Sequence, residues 1–340
     1  MQNSSTQIAE PIENSTEKLD AIRSLVINDL ESIDQLISKE VASSVPLTQE
    51  ITRHIFKSKG KRLRPLLVIL SAHALKKQEL GTQHFELATV IEFVHTATLL
   101  HDDVVDHSLQ RRGQRTANAI WGNLASVLVG DFLYSRAFQI LARHNHIAIM
   151  RVLSEATNAI AEGEVMQLMN QNDADLTEEN YFKVIIQKTA KLFSAATEIG
   201  AILQNANETE QKAMATYGLH LGIAFQIIDD LLDYYADSDI TGKNLGDDLS
   251  EGKATLPLIY AIKESNQQQA DLIRTAIRTA DINLLPEIIL ILNDSQALSA
   301  TKNKAIEHAN LAQAALNNIP NSDYRDALQQ LVLFAVERKY

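Results

Sequence analysis

Cysteine is absent from all 340 residues, which excludes disulfides, thiolate metal ligands and cysteine nucleophiles and agrees with an expected cytoplasmic location. Glycine occurs only 12 times and proline 6 times, below the usual ~7% and ~5%, so the turns that many short strands need are missing. Between Pro65 and Pro257 there is no proline at all. Long helices suit such a span, whereas a doubly wound sheet would punctuate it repeatedly. Basic residues are in the minority, 31 against 43 acidic, for a net charge of -12. That balance argues against nonspecific binding to nucleic acid and against stable membrane insertion or adsorption to an anionic bilayer. Apolar runs such as Leu66 to Leu70 fall far short of the ~20 residues of a membrane helix. The first 16 residues carry neither an apolar core of a signal nor an arginine-rich transit pattern.

What is present is ample material for a core, with 45% hydrophobic and 22% charged residues. The expected architecture is all-α: a disordered tail over residues 1–18 and one large helical domain over 19–340. Apolar residues recur at helical spacing in three windows: Leu19, Ile22, Val26 and Leu30; Leu87, Val90, Ile91, Val94 and Ala97; Leu128, Phe132, Leu133 and Phe138. Asp175 before Glu178 and Asn207 before Glu210 resemble capping pairs at helix starts. Gly113, Gly163, Gly200, Gly242 and Gly252 mark expected ends or loops. The last 80 or so residues, around Pro286 and Pro320, predict shorter helices whose role is packing.

One short motif occurs twice. The first copy is His101-Asp102-Asp103-Val104-Val105-Asp106; the second is Gln226-Ile227-Ile228-Asp229-Asp230-Leu231-Leu232-Asp233. On a helix the first and last aspartates of each copy are i and i+4, about 6 Å apart on one face. Such a face repels itself unless a cation intervenes, and hard divalent ions, Mg²⁺ among them, take carboxylate and phosphate oxygens. A solvated acidic helix face is the plain alternative for either copy alone. Both copies sit in apolar flanks, where a merely solvated face is less natural.

The pair of motifs resembles the trans-isoprenyl diphosphate synthases, and within them the long-chain bacterial, octaprenyl-producing branch. The likeness runs from about Gly60 to the C-terminus. It includes Gly60-Lys61-Arg62-Leu63-Arg64-Pro65, Glu92 to His101 leading into the first cluster, and Arg111-Arg112-Gly113 after it. It continues through Gly130-Asp131, Lys188-Thr189-Ala190, Gly242-Lys243-Asn244, Gly246-Asp247-Asp248 and Gly252-Lys253. The resemblance implies a helical bundle of the isoprenoid synthase type with a central active-site cavity. Its implied activity is Mg²⁺-dependent prenyl transfer, joining isopentenyl diphosphate to an allylic diphosphate such as farnesyl diphosphate, with a product near octaprenyl length for quinone side chains. Several Mg²⁺ ions would bridge Asp102, Asp103, Asp106, Asp229, Asp230 and Asp233 to diphosphate. Lys61, Arg64, His95 and Arg112 would bind isopentenyl diphosphate, and Arg111, Lys188 and Lys253 the allylic diphosphate. Lys188, Thr189, Gln226 and Lys243 would line the allylic site as catalytic residues. A homodimer is implied by the same likeness.

His107 departs from the pattern, since relatives usually carry an acidic residue there; it adjoins the first cluster and bears on metal affinity. Ala97 and Thr98, one turn before Asp102, are small where short-chain relatives carry bulky aromatics, which leaves a product tunnel open. Phe138 and Leu141 are the candidate floor, or else ordinary core residues. Competing readings are a shorter-chain synthase, a class I terpene cyclase, which has no use for Lys61 and Arg64, and a non-catalytic subunit, which would lose part of this set. The stretch from Gly246 to Lys253 has the wrong spacing for a nucleotide phosphate loop.

Overall fold

The computed structural model describes residues 13–57, 60–111, 113–235 and 245–338. Helices follow one another through short turns: α1 (Glu13–Ser24), α2 (Ile27–Glu40), α3 (Pro46–Lys57), α4 (Leu63–Leu75), α5 (Gln83–Val105), α6 (Ala117–Trp121), α7 (Asn123–His144), α8 (Ile147–Met169), α9 (Glu178–Ile185), α10 (Lys191–Leu203) and α11 (Glu208–Leu232). After the second aspartate cluster come α12 (Asp247–Ser250), α13 (Leu256–Glu264), α14 (Gln267–Thr279), α15 (Leu285–Asp294), α16 (Ala297–Ala315) and α17 (Asp323–Glu337). Among the described residues the strands are β1 (Gln110–Arg111) and β2 (Gln114–Arg115), a small antiparallel hairpin. All-α is therefore the fold class.

Helices α4, α5, α10 and α11 form the inner layer, with α7 and α8 beside them, α2 and α17 covering α5 and α4, and α16 covering α11. The main core joins fully buried Leu67, Phe93, Leu133 and Tyr217, and the Tyr217 hydroxyl donates to the Leu328 carbonyl at 2.8 Å. A smaller core gathers Leu249, Leu258, Ile273 and Ile288 from the later helices. Between α9 and α10 the chain winds as a π-turn (Ile186–Ala190), a local widening often found at functional sites.

Local rules explain most starts and stops, and several differ from expectation. Asn207 and Glu210 form the expected capping box on α11. At α9 the cap is Thr177, whose hydroxyl accepts from the Asn180 amide, not Asp175; the shorter reach from Thr177 leaves Asp175 to pair with Arg274 and Arg278. The first apolar window is broken by a turn at Leu25–Val26, so it spans two helices. Helix α1 already opens at Glu13, inside the segment expected as a tail.

Gly113 and Gly252 lie in turns at φ +71° and +69°, as read, but Gly163 and Gly200 sit inside helices. Their role is close approach: a Cβ on Gly200 would meet Val68 O of α4 at 2.7 Å, and one on Gly163 the Lys188 amide at 2.6 Å. Gly242 lies outside the described residues. Helix α7 is, by length and composition, apolar enough to cross a membrane, although polar residues interrupt it at Ser126, Asp131 and Arg136. It packs one side against α5, and its outer side carries exposed Leu124, Val127 and Leu128.

Candidate active site

The two aspartate clusters close the C-terminal ends of α5 and α11. Within each cluster the middle aspartate stands about 100° round the helix from the first aspartate and about 60° from the last, and its partners differ accordingly. Asp103 is buried and accepts from Arg111 Nε at 2.7 Å. Burial, with Asp102 and Asp106 alongside, pushes its carboxyl up in spite of the guanidinium. Asp230 is buried too, accepting from the Tyr181 hydroxyl at 2.5 Å and from Gln226 Nε2 at 2.8 Å. Burial first, and then the charge of Asp248, pushes Asp230 up to about 8. Both oxygens of Asp230 and one of Asp103 are thus engaged with protein donors.

The outer aspartates keep partly open faces and meet cations. Asp106 faces Lys253 Nζ at 3.3 Å, and Lys188 Nζ lies 4.0 Å from Asp102. Burial alone would lower Lys253, but Asp248, Asp106 and Glu251 hold it well above the ordinary lysine range. Asp229 accepts from Arg338 Nη1 at 2.8 Å. Asp233 accepts from the amides of Asp247 and Asp248 at 3.2 and 3.1 Å, and so anchors α12. An all-oxygen set of partly open carboxylates on two helices, bordered by lysines that tolerate phosphate, fits hard divalent ions.

The π-turn connects the clusters. Lys188, at its centre, donates to Glu164 Oε2 at 2.7 Å beside Asp102. Thr189 donates to Gln226 Oε1 at 2.9 Å, and Gln226 in turn donates to Asp230. The Thr189 hydrogen is therefore committed, and its lone pairs are what it offers to other neighbours. Lys188 thus faces the first cluster, and Thr189, through Gln226, the second.

A second, basic region lies at the N-terminus of α4 against the middle of α5. Arg64 Nη1 and His95 Nε2 are 3.0 Å apart, and the Arg64 guanidinium stacks 4.6 Å from the Phe193 ring centre. Lys61 Nζ lies 5.5 Å over Phe334. The adjoining cleft is lined by Gly60, Arg62, His95, Leu99, Asp103 and Arg111. Of the expected residues, Arg64 and His95 meet here, His95 and Arg111 line one cleft, and Lys61 lies over Phe334, while Lys188 and Lys253 stand at the throat. Arg112 and Lys243 lie outside the described residues. His107 ends α5 at φ +53° with its side chain exposed.

The expected chain-length residues divide. Ala97 is fully buried and shares a helix face with His101, which packs on Gly130 and stacks on Tyr134 of α7. Thr98 lies one turn below Asp102 and bonds back to the His95 carbonyl at 2.8 Å. Leu141 is buried, but Phe138 is 36% exposed on the outer face of α7. Phe138 thus lies outside the buried stripe of α7, which runs through Leu133, Ala137 and Leu141.

Three site residues carry no recognisable signal in the sequence. Glu164 borders Lys188, and burial, then the charge of Asp102, pushes its carboxyl up to about 7 despite the lysine. Tyr181 orients Asp230. Arg338, from the segment expected only to pack, stacks 3.8 Å from the Phe225 ring centre and donates to Asp229 and to the Phe225 carbonyl. Proximity of a basic residue to a chain end is too common to have singled it out.

Comparison with known proteins agrees with the all-helical fold. The polyprenyl synthetase family model matches residues 45–290. The chain is 47% identical over 321 residues to an octaprenyl diphosphate synthase of Escherichia coli (strain K12), covering 94% of this chain and 99% of that one. It is 45% identical over 313 residues to an all-trans-nonaprenyl-diphosphate synthase (geranyl-diphosphate specific) of Rhodobacter capsulatus, covering 92% and 96%. The crystal structure of a polyprenyl synthase from Caulobacter crescentus CB15, complexed with calcium and isoprenyl diphosphate, superposes with a TM-score of 0.90. There the identity is 41%, and the match covers 95% of this chain and 98% of that one.

Proposed function

The chain belongs to the polyprenyl synthetase family, and from that premise we propose how its residues perform long-chain prenyl transfer. The enzyme is a prenyltransferase that condenses isopentenyl diphosphate onto an allylic diphosphate to give a long-chain polyprenyl diphosphate. The observation that carries the site assignment is the pairing of two aspartate faces with a separate basic pocket. Two polyanionic substrates must lie close together in an acidic protein, so one is held by cations directly and the other through metal ions.

Asp102 and Asp106, with Asp229 and Asp233, would hold Mg²⁺; the metal supplies neutralising charge to the departing diphosphate. Lys188 and Lys253 add fixed positive charge beside those aspartates and bind the same allylic diphosphate. Arg64, His95 and Lys61 orient isopentenyl diphosphate, and Arg111, held by Asp103 beside the first cluster, joins Lys188 and Lys253 on the allylic diphosphate. Thr189 and Gln226 turn dipoles toward the carbon centre where positive charge develops. Asp103 and Asp230 complete the six-aspartate set and also position Arg111 and Gln226. The released diphosphate takes the proton lost on condensation.

A homodimer, Mg²⁺ as the resident ion, farnesyl diphosphate as starter, a cytoplasmic location and a quinone-directed product belong to the same proposal. The exposed apolar face of α7, with Leu124 83% and Leu128 66% exposed, supports a second copy as its cover. Chelator-stripped protein is expected to incorporate no labelled isopentenyl diphosphate and to recover on addition of Mg²⁺. Turnover unaffected by the chelator contradicts the metal assignment.

Arg64→Ala is expected to weaken isopentenyl diphosphate binding by roughly 1.5 to 3 kcal/mol, the scale of a hydrogen bond to a charged group. Affinity for the allylic partner changes less. Equal loss for both substrates in calorimetry contradicts this division of the cations.

A further inference from the structure

We infer that Asp29, His73 and His84 form a second divalent-metal site, separate from the aspartate throat and suited to a borderline ion such as Zn²⁺. Asp29 stands in the first turn of α2, His73 in the last turn of α4 and His84 at the start of α5. Their ligand atoms all lie within 4.8 Å of one another. His73 Nε2 is 2.9 Å from Asp29 Oδ2, and His84 Nε2 is 2.8 Å from Asp29 Oδ1.

Two imidazole nitrogens and one carboxylate oxygen make a donor set that selects Zn²⁺, Co²⁺ or Ni²⁺, whereas Mg²⁺ prefers oxygen alone. Both rings are held in orientation. His73 stacks on Tyr324 of α17 at 4.7 Å with 18° between planes, and His84 meets Phe85 edge-on at 5.3 Å. Asp29 and His73 are half-buried, which leaves room for water at the remaining coordination position.

To bind the ion each Nε2 must offer its lone pair, which leaves the ring proton on Nδ1. At His84 the Nδ1 atom is buried without a hydrogen-bond partner. The ring proton gains no acceptor there, which makes the ion exchangeable and not one on which the fold depends. When bound, it ties α2 to the helices that carry Arg64 and Asp102.

The test uses the full chain, stripped with chelator and kept in excess Mg²⁺ to occupy the throat, then titrated with Co²⁺. One equivalent is expected to give the visible absorption of a nitrogen-ligated, low-coordinate ion, and Zn²⁺ is expected to abolish it by competition. The signal persists in Asp102→Asn and weakens at least tenfold in affinity in His73→Gln. Glutamine still donates to Asp29, and unchanged Mg²⁺-dependent turnover shows that this variant is folded. Absence of the signal in the wild type, or an identical titration in His73→Gln, overturns the inference.

Discussion

Asparagine in place of Asp102 is expected to reduce condensation by roughly a hundredfold or more, the scale on which removing one preorganised electrostatic contact acts. Far-UV ellipticity should be unchanged, because Asp102 lies at the end of α5 and caps nothing. Melting should hold steady or rise slightly as repulsion among Asp102, Asp106 and Glu164 falls. Asp229→Asn is expected to lose activity to a similar degree for a different structural cost. Arg338 is almost fully buried and leans on Asp229, so the amide keeps an acceptor but not a counter-charge, and stability falls by about 1 kcal/mol. Full steady-state activity in either variant contradicts the two-cluster assignment, whereas loss of helix content attributes the effect to folding.

Tyrosine in place of Ala97 is expected to move the dominant product from long chains to a few isoprene units. Ala97 is fully buried on the side of α5 that meets α7. A phenol placed there fills the space one turn below the metal face. Accommodating a longer chain past it costs ~1 to 3 kcal/mol by overpacking, enough to make release faster than further elongation. Leu141→Ala should act in the opposite sense and lengthen the product. Mass spectrometry that finds the parental length in Ala97→Tyr places the tunnel elsewhere than along this helix.

Much of this arrangement was legible because it follows local rules. The scarcity of proline and the i, i+4 aspartates needed only helical geometry, and both survived in the structure. The details that local rules did not give have physical causes of the same kind. Asp103 and Asp230 each meet a neighbouring element that supplies Arg111 or Tyr181, a pairing made by tertiary packing. Phe138 has helical spacing with Leu141 but falls outside the buried stripe. Gly163 and Gly200 read as breaks because sequence does not reveal a neighbouring backbone at van der Waals distance. Glu164, Tyr181 and Arg338 entered the site through tertiary packing, from positions 49 and 109 residues away in the latter two cases. The cluster of Asp29, His73 and His84 was hidden in the same way, spread over three helices with no shared motif.

The most direct measurement is mass analysis of what the purified chain makes from farnesyl diphosphate and labelled isopentenyl diphosphate with Mg²⁺. The expected result is an acyclic, all-trans polyprenyl diphosphate of octaprenyl size. A cyclised hydrocarbon, a product ending at geranylgeranyl length, or no incorporation of isopentenyl diphosphate contradicts it.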